Sequence, residues 1–200
     1  QVVSSSKFAR KSEEAGCDAV VAEGFEAGGH NGREETTTMV LVPAVAGAVK
    51  IPVIAAGGIV NGRQMLAAMV LGAEGVQMGS RFVASEEASS HIHFKQAVLN
   101  LEEESTMLTM KLLTPVRMIK NKFFEDVRQA ELRGATAEEL KSLLGRARAK
   151  RGMFEGDMDE GELEIGQAGA LLNSILPAGE IVKNVWEEFM NGLAEPVKKL

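Results

Sequence analysis

Aromatic side chains are scarce. Eight Phe, one Trp and no Tyr make up 4 % of the 200 residues, so the core must be built from Val, Ile, Leu, Ala and ten Met. Cysteine is nearly absent: Cys17 alone excludes an intrachain disulfide framework and fits a reducing compartment, so a cytoplasmic location is expected. Positive charge is in deficit, with a net charge of −6. That excludes a general nucleic-acid role, because phosphate backbones are held by basic surfaces. No apolar run approaches the roughly 18 residues of a membrane helix, so no membrane partner is expected. The opening Gln1-Val2-Val3-Ser4 has neither the basic segment nor the long apolar stretch of a signal peptide. Proline is rare too, at 5, against 21 glycines. Excess glycine in a well-mixed sequence marks tight turns or backbone packed close to a ligand.

The first eighty residues alternate short apolar runs with helical patterns. Val2-Val3 reads as the end of a strand, and the serines that follow cap a helix running to Ala15. Asp18–Glu23, Ile51–Ala56 and Gly75–Met78 read as buried strands. Between them, Met39–Val49 is helical, and Asn61 caps a helix whose apolar face is Met65, Leu66, Met69 and Val70. Strands alternating with helices imply right-handed βαβ units and a parallel sheet. Gly16-Cys17-Asp18-Ala19-Val20 and Gly72-Ala73-Glu74-Gly75-Val76 share one grammar: helix-ending glycine, acidic residue, strand. Half the spacing between them is about 28 residues, near the roughly 31 of a (β/α)₈ unit, although a doubly wound sheet tolerates the same spacing. After about Ser85 charged helical segments dominate (Lys95–Glu104, Glu138–Ala149, Val182–Leu193) and no convincing strand is found. The expected fold is α/β: the C-terminal part of a (β/α)₈ TIM barrel over residues 1–84, then a last barrel helix and an α-helical extension over 85–200 of the same domain. The N-terminal half of the barrel is expected to lie outside the chain.

Three glycine loops each follow a strand: Glu26–Gly32, Ala55–Ile59 and Gln77–Arg81. In a barrel all three sit at the C-terminal face, where active sites lie. The second and third precede helices, whose N-termini and free backbone N–H groups can hold a phosphate. Ser80 adds a hydroxyl. Arg81 reads equally as a phosphate partner or a rim salt bridge. His30, ending the first loop, can take a carbon-bound proton or hold an anion; read alone, it could equally be an ordinary loop residue. Asp157-Met-Asp159-Glu-Gly161 hints at a calcium loop, but Gly161 stands where a side-chain ligand is needed, so no metal is expected. Arg146, Arg148, Lys150 and Arg151 read as a solvated basic face.

Glu23-Gly-Phe-Glu-Ala-Gly-Gly-His30, Ile51-Pro-Val-Ile-Ala-Ala-Gly-Gly-Ile59 and Leu71-Gly-Ala-Glu-Gly-Val-Gln-Met-Gly-Ser-Arg-Phe82 resemble the signature blocks of the nitronate monooxygenase (2-nitropropane dioxygenase) and enoyl-ACP reductase II family. Pro115-Val-Arg117 with Lys120-Asn121, and Glu155–Asp157 through Ile165-Gly-Gln167, resemble its C-terminal extension. The resemblance implies an FMN enzyme on a TIM barrel and carries the catalytic His onto His30. It carries flavin contacts onto Glu23, Gly28, Gly58, Gln77, Met78, Gly79 and Ser80, with Gly57 as a neighbour. Glu26 is left as a loop stabiliser acting through backbone N–H groups. Two departures are Ser80 for the commoner Thr, and Glu23 where many members carry Gln. The leading expectation is FMN-dependent oxidation of an alkyl nitronate by O₂. The alternatives are NAD(P)H-driven reduction of an enoyl thioester through the same flavin, and a non-catalytic truncated barrel. The expected partner is a small-molecule substrate; whether the protein forms a homodimer stays open.

Overall fold

Four short strands of the computed structural model, which describes residues 1–194, lie parallel in strict sequence order. They are β1 (Val2–Val3), β2 (Val20–Glu23), β4 (Val53–Ala56) and β5 (Gly75–Gln77), with β3 (Gly29–His30) belonging to a second sheet. The register runs Val2 to Val21, Val21 to Ile54 and Ile54 to Gly75. A doubly wound sheet reverses its strand order at a switch point. These strands march in one direction, each joined to the next through a helix, as the wall of a (β/α)₈ barrel does. The chain carries part of such a barrel.

Local chemistry sets the helix boundaries. Helix α1 (Ser6–Glu14) starts at Ser5, whose hydroxyl accepts from the Phe8 amide, and α3 (Gly62–Val70) starts at Asn61, whose side chain accepts from Gln64 N at 2.9 Å. Helix α2 (Thr38–Ala46) sets Leu41, Val42 and Val45 against Val20, Ala22, Val53 and Ala55. Since strand side chains alternate between faces, Glu23, Ala56 and Gln77 fall on the opposite face. They are cross-strand partners at the ends of their strands. The expected apolar face of α3 needs correction: Val70 is exposed, while Gly62 and Ala68 are buried. Helix α8 (Ala178–Ala194) packs on α3, and it covers the N-terminal end of α3, where the hydropathy pattern gives no signal.

The all-helical reading of the C-terminal part is also corrected. Strands β6 (Thr106–Thr109) and β7 (Val116–Ile119) form a hairpin, and β3 adds to it antiparallel in the order β3-β7-β6. Four-residue strands carrying Thr, Arg and an exposed Met107 give too short a period to stand out from helix. Helices α6 (Lys122–Leu132) and α7 (Ala137–Leu144) back the hairpin through Met118, Phe123, Phe124, Val127 and Leu140. Short helices α4 (Ser80–Val83) and α5 (Ile92–Leu99) lead from the barrel to this layer. Arg148 is not a solvated cation: its guanidinium stacks on Phe123 at 4.4 Å and donates to the carbonyls of Leu143, Leu144 and Glu160. No described helix is long and apolar enough to cross a membrane.

Candidate active site

The row Glu23, Ala56, Gln77 floors a cleft at the C-terminal ends of the strands. Glu26–Gly28, Gly57–Val60, and Gly79 with Ser80 wall it on successive sides. Gly57 and Gly58 have φ of +88° and +73°, backbone that glycine alone adopts readily. A β-carbon on Gly57 would stand 2.7 Å from the Gly24 carbonyl oxygen, so the loops after β2 and β4 press together. Among the described residues, the amides of Gly57, Gly58, Gly79 and Ser80 donate to no protein acceptor. All four residues line one cleft, where their amides make a set of backbone donors.

Glu26 binds the protein itself. Its carboxylate accepts from the Thr38 amide at 2.9 and 3.1 Å and lies 3.0 Å from the Thr38 hydroxyl, capping α2 from a distant loop. Thr37, at the cap position, makes no such bond. Thr38 Oγ1 lies 2.8 Å from the Gly57 carbonyl oxygen, so with its amide on Glu26 and its single hydroxyl proton on Gly57 this residue can tie both glycine loops to α2.

A fourth wall comes from far down the chain: Gly166 and Ala168. The Gly166 amide donates to Ser80 Oγ at 3.1 Å, which leaves the Ser80 proton free to turn into the cleft. The Gln167 amide donates to the Glu26 carbonyl at 2.9 Å. Gly166 and Gln167 fall within the stretch that resembles a C-terminal extension, which is the sequence signal for them, and Ala168 lies one residue past it.

Of the sequence-predicted site residues, Glu23, Gly28, Gly57, Gly58, Gln77, Gly79 and Ser80 line the cleft. Met78 does not; it packs against the barrel core. Its place follows from alternation, because it comes one residue after the cleft-facing Gln77. His30 stands just past the rim on β3, exposed and paired with Val116. The hairpin holds it there. Asn31 N donates to the Pro115 carbonyl at 2.8 Å, and Arg117 donates to the Phe25 carbonyl at 2.9 and 3.2 Å while stacking on the Phe25 ring. Arg81 is buried and donates to the Ser174 carbonyl at 2.9 Å, and among the described residues it forms no salt bridge.

The electrostatics of the site follow from burial. Burial pushes the Glu23 carboxyl above its ordinary range. Arg117 is pulled below its own by burial, opposed by Glu26 and Glu35. Glu162 is pushed up to about 7 by burial and by Glu164, against the pull of Arg148. Glu164 is raised by burial and held down by the charge of His30.

Comparison with known proteins follows the same lines. A family model described as "Nitronate monooxygenase" matches residues 1–188. A "Probable nitronate monooxygenase" of Staphylococcus aureus strain MSSA476 is 38 % identical over 187 residues, 86 % of this chain and 51 % of the relative. FabK from Thermotoga maritima superposes with a TM-score of 0.91 at 40 % identity, covering 97 % of this chain and 61 % of FabK. For the nitroalkane oxidase of Streptomyces ansochromogenes the TM-score is 0.80 at 32 % identity, covering 98 % of this chain and 58 % of that one. The chain therefore spans about half the length of the Staphylococcus aureus relative.

Proposed function

This chain belongs to the nitronate monooxygenase family, and from that membership we propose that it serves an FMN-dependent oxidation of alkyl nitronates by O₂. The observation that carries the cofactor reading is the set of four amides at Gly57, Gly58, Gly79 and Ser80, lining one cleft with no protein acceptor. Oriented amides next to a helix start suit a phosphate. A β-carbon on Gly79 would meet no protein atom within 4 Å, so its backbone lies open to the cleft. These residues fit FMN. The four amides and Ser80 Oγ would hold its phosphate, and Glu23, Gly28 and Gln77 would hold its polar parts. Burial favours the protonated form of Glu23, which offers a donor and an acceptor as the Gln of many relatives does.

Bound flavin supplies the acceptor for the substrate's electrons. The chain's own residues do the rest. His30 takes the carbon-bound proton of a neutral nitroalkane: the C–H bond breaks, the proton goes to an imidazole nitrogen, and the electron pair stays on the substrate as the nitronate. For a substrate that arrives as the nitronate, His30 orients the anion.

The test is His30→Asn in the flavin-loaded protein. Bound FMN should be retained, and turnover of neutral nitroalkanes should fall about 10²–10⁴-fold, the usual range for a general base. A preformed nitronate needs no deprotonation and should lose less. Equal large losses on both substrates assign His30 to orientation; no loss on either removes it from the mechanism.

A second reading, NAD(P)H-driven reduction of an enoyl thioester, is favoured by the likeness to FabK. O₂ uptake with a nitronate against NADH consumption with crotonyl thioester separates the two. Purified protein that shows no flavin absorbance removes both.

A further inference from the structure

The cleft has no cation in its wall. The ionisable side chains that line it are Glu23 and Glu26, both carboxyls. A phosphate ester carries about −1.5 to −2 charges at neutral pH, and the Glu26 carboxylate that caps α2 repels it. The amides of Gly57, Gly58, Gly79 and Ser80 offer donors but no net positive charge.

Buried cations adjoin this wall instead. Among the described residues they are Arg81, Lys95 and Arg117. Arg117 lies in the field of Glu26 and Glu35. Arg81 follows Ser80 directly, is 7 % exposed, and donates to the Ser174 carbonyl at 2.9 Å. Lys95, 6 % exposed on α5, donates to the carbonyls of Ser85 and Glu86 at 2.6 and 3.2 Å. Helix α4 has four residues, about 6 Å at the usual rise, so Lys95 stands at the far end of the one turn that Gly79 opens. Neither Arg81 nor Lys95 forms a salt bridge among the described residues. The carboxylates closest in sequence face elsewhere: Glu86 is exposed, and Glu87 accepts from the Ala178 amide at 2.8 Å. A neutral donor would satisfy the same carbonyls. Taking a full charge out of water is costly unless an opposite charge lies near. Two such cations along one short segment call for an anion.

We propose that Arg81 and Lys95 supply the counter-charge for a phosphate held at Gly79 and Ser80, so that the cleft selects a phosphorylated flavin over the same flavin without its phosphate. The inference rests on the phosphate reading given above and adds what offsets the repulsion from Glu26. Charges interact over several ångströms in a poorly hydrated interior. Neither side chain lines the cleft, and neither needs to touch the ligand.

Lys95→Met keeps the buried stem and removes the charge. Dissociation constants of FMN and of riboflavin, which differ only in the phosphate, are measured by flavin fluorescence on protein freed of bound flavin. In Lys95→Met the FMN affinity should fall about tenfold, and the riboflavin affinity should change little. The second phosphate proton leaves near pH 6, so the FMN loss should be larger at about pH 8 than at about pH 5. The phosphorus resonance of bound FMN gives an independent readout: in Lys95→Met the phosphate should take up its proton at higher pH than in the unsubstituted protein. Lys95→Arg, which keeps the charge, should keep the preference for FMN. Arg81→Gln retains a donor for the Ser174 carbonyl, should act in the same direction as Lys95→Met, and serves if that variant folds poorly. Equal losses of FMN and riboflavin, as a merely structural role predicts, or a phosphate titration that ignores both substitutions, overturn the proposal. If the unsubstituted protein shows no preference for FMN over riboflavin, the phosphate reading fails first; if the preference survives both substitutions, this inference alone falls.

Discussion

Residues 1–84 and residues 85–194 contribute to the same cleft by different means. The first region presents backbone: glycine loops, open amides and strand ends brought together by sequence-order parallel pairing. The second presents tethers: Arg117 to the Phe25 carbonyl, the Gly166 amide to Ser80, the Gln167 amide to the Glu26 carbonyl. A surface made of backbone can approach a ligand closely but has little to hold its own shape, since glycine restrains φ and ψ least. Long-range polar contacts supply that restraint. The region that touches the ligand and the region that sets the loop's geometry are therefore separable by substitution.

Arg117→Met should show the largest effect on stability. It keeps the apolar volume but leaves the Phe25 carbonyl without its charged donor. The expected cost is about 2 kcal/mol, seen as a fall in Tm of roughly 4–8 °C together with weaker flavin binding. A variant with unchanged Tm would mean that the tether does not hold the loop. Next comes a contrast between two glycines of the cleft. A β-carbon on Gly79 meets no protein atom within 4 Å, so in Gly79→Val Tm should hold while FMN affinity drops about tenfold or more. A β-carbon on Gly28 would stand 2.4 Å from the Ile165 carbonyl carbon, so Gly28→Ala should lose both. Full FMN occupancy in folded Gly79→Val would break the phosphate assignment. The smallest effect belongs to Glu162, whose folded-state acidity is shifted up to about 7 from an ordinary 4.5. A raised carboxyl contributes stability that is complete below about pH 4.5 and lost as pH rises through about 7. Glu162→Gln should flatten that part of the pH–Tm curve and raise Tm at pH 8. Parallel curves for the two proteins would show that Glu162 is not the group responsible.

The same contrast explains what could be read from the chain beforehand. Helix-ending Gly16 and Gly72, the caps Ser5 and Asn61, and the three glycine loops are local signals, and each marks an element or a cleft wall. Glu26 as a loop stabiliser was legible for the same reason: a carboxylate among glycines has backbone N–H groups within reach. Strands β6 and β7 were not legible, because each is only four residues long and β3, the third strand of their sheet, is far away in sequence. Arg148 looks like a surface cation until Phe123 is seen beneath it, and nothing local to Arg117 announces the Phe25 ring on which it stacks. Val70 fits an apolar helical stripe, yet α3 turns Gly62 and Ala68 inward instead. Glu162 and Glu164 belong to a charged stretch with no periodic signal, and only the bridge to Met118 ties Glu164 to β7.

The tether from Arg117 to Phe25 joins residues 92 positions apart. Its consequence is one of timing. The loop ending in His30 lies near the start of the chain, and its glycines leave it many conformations until the hairpin forms and pairs with it. Contacts of such long sequence separation close after local helices and turns, since the entropy of the intervening loop must be lost first. The geometry of the loop that ends in His30 is thus among the last features of the fold to be set.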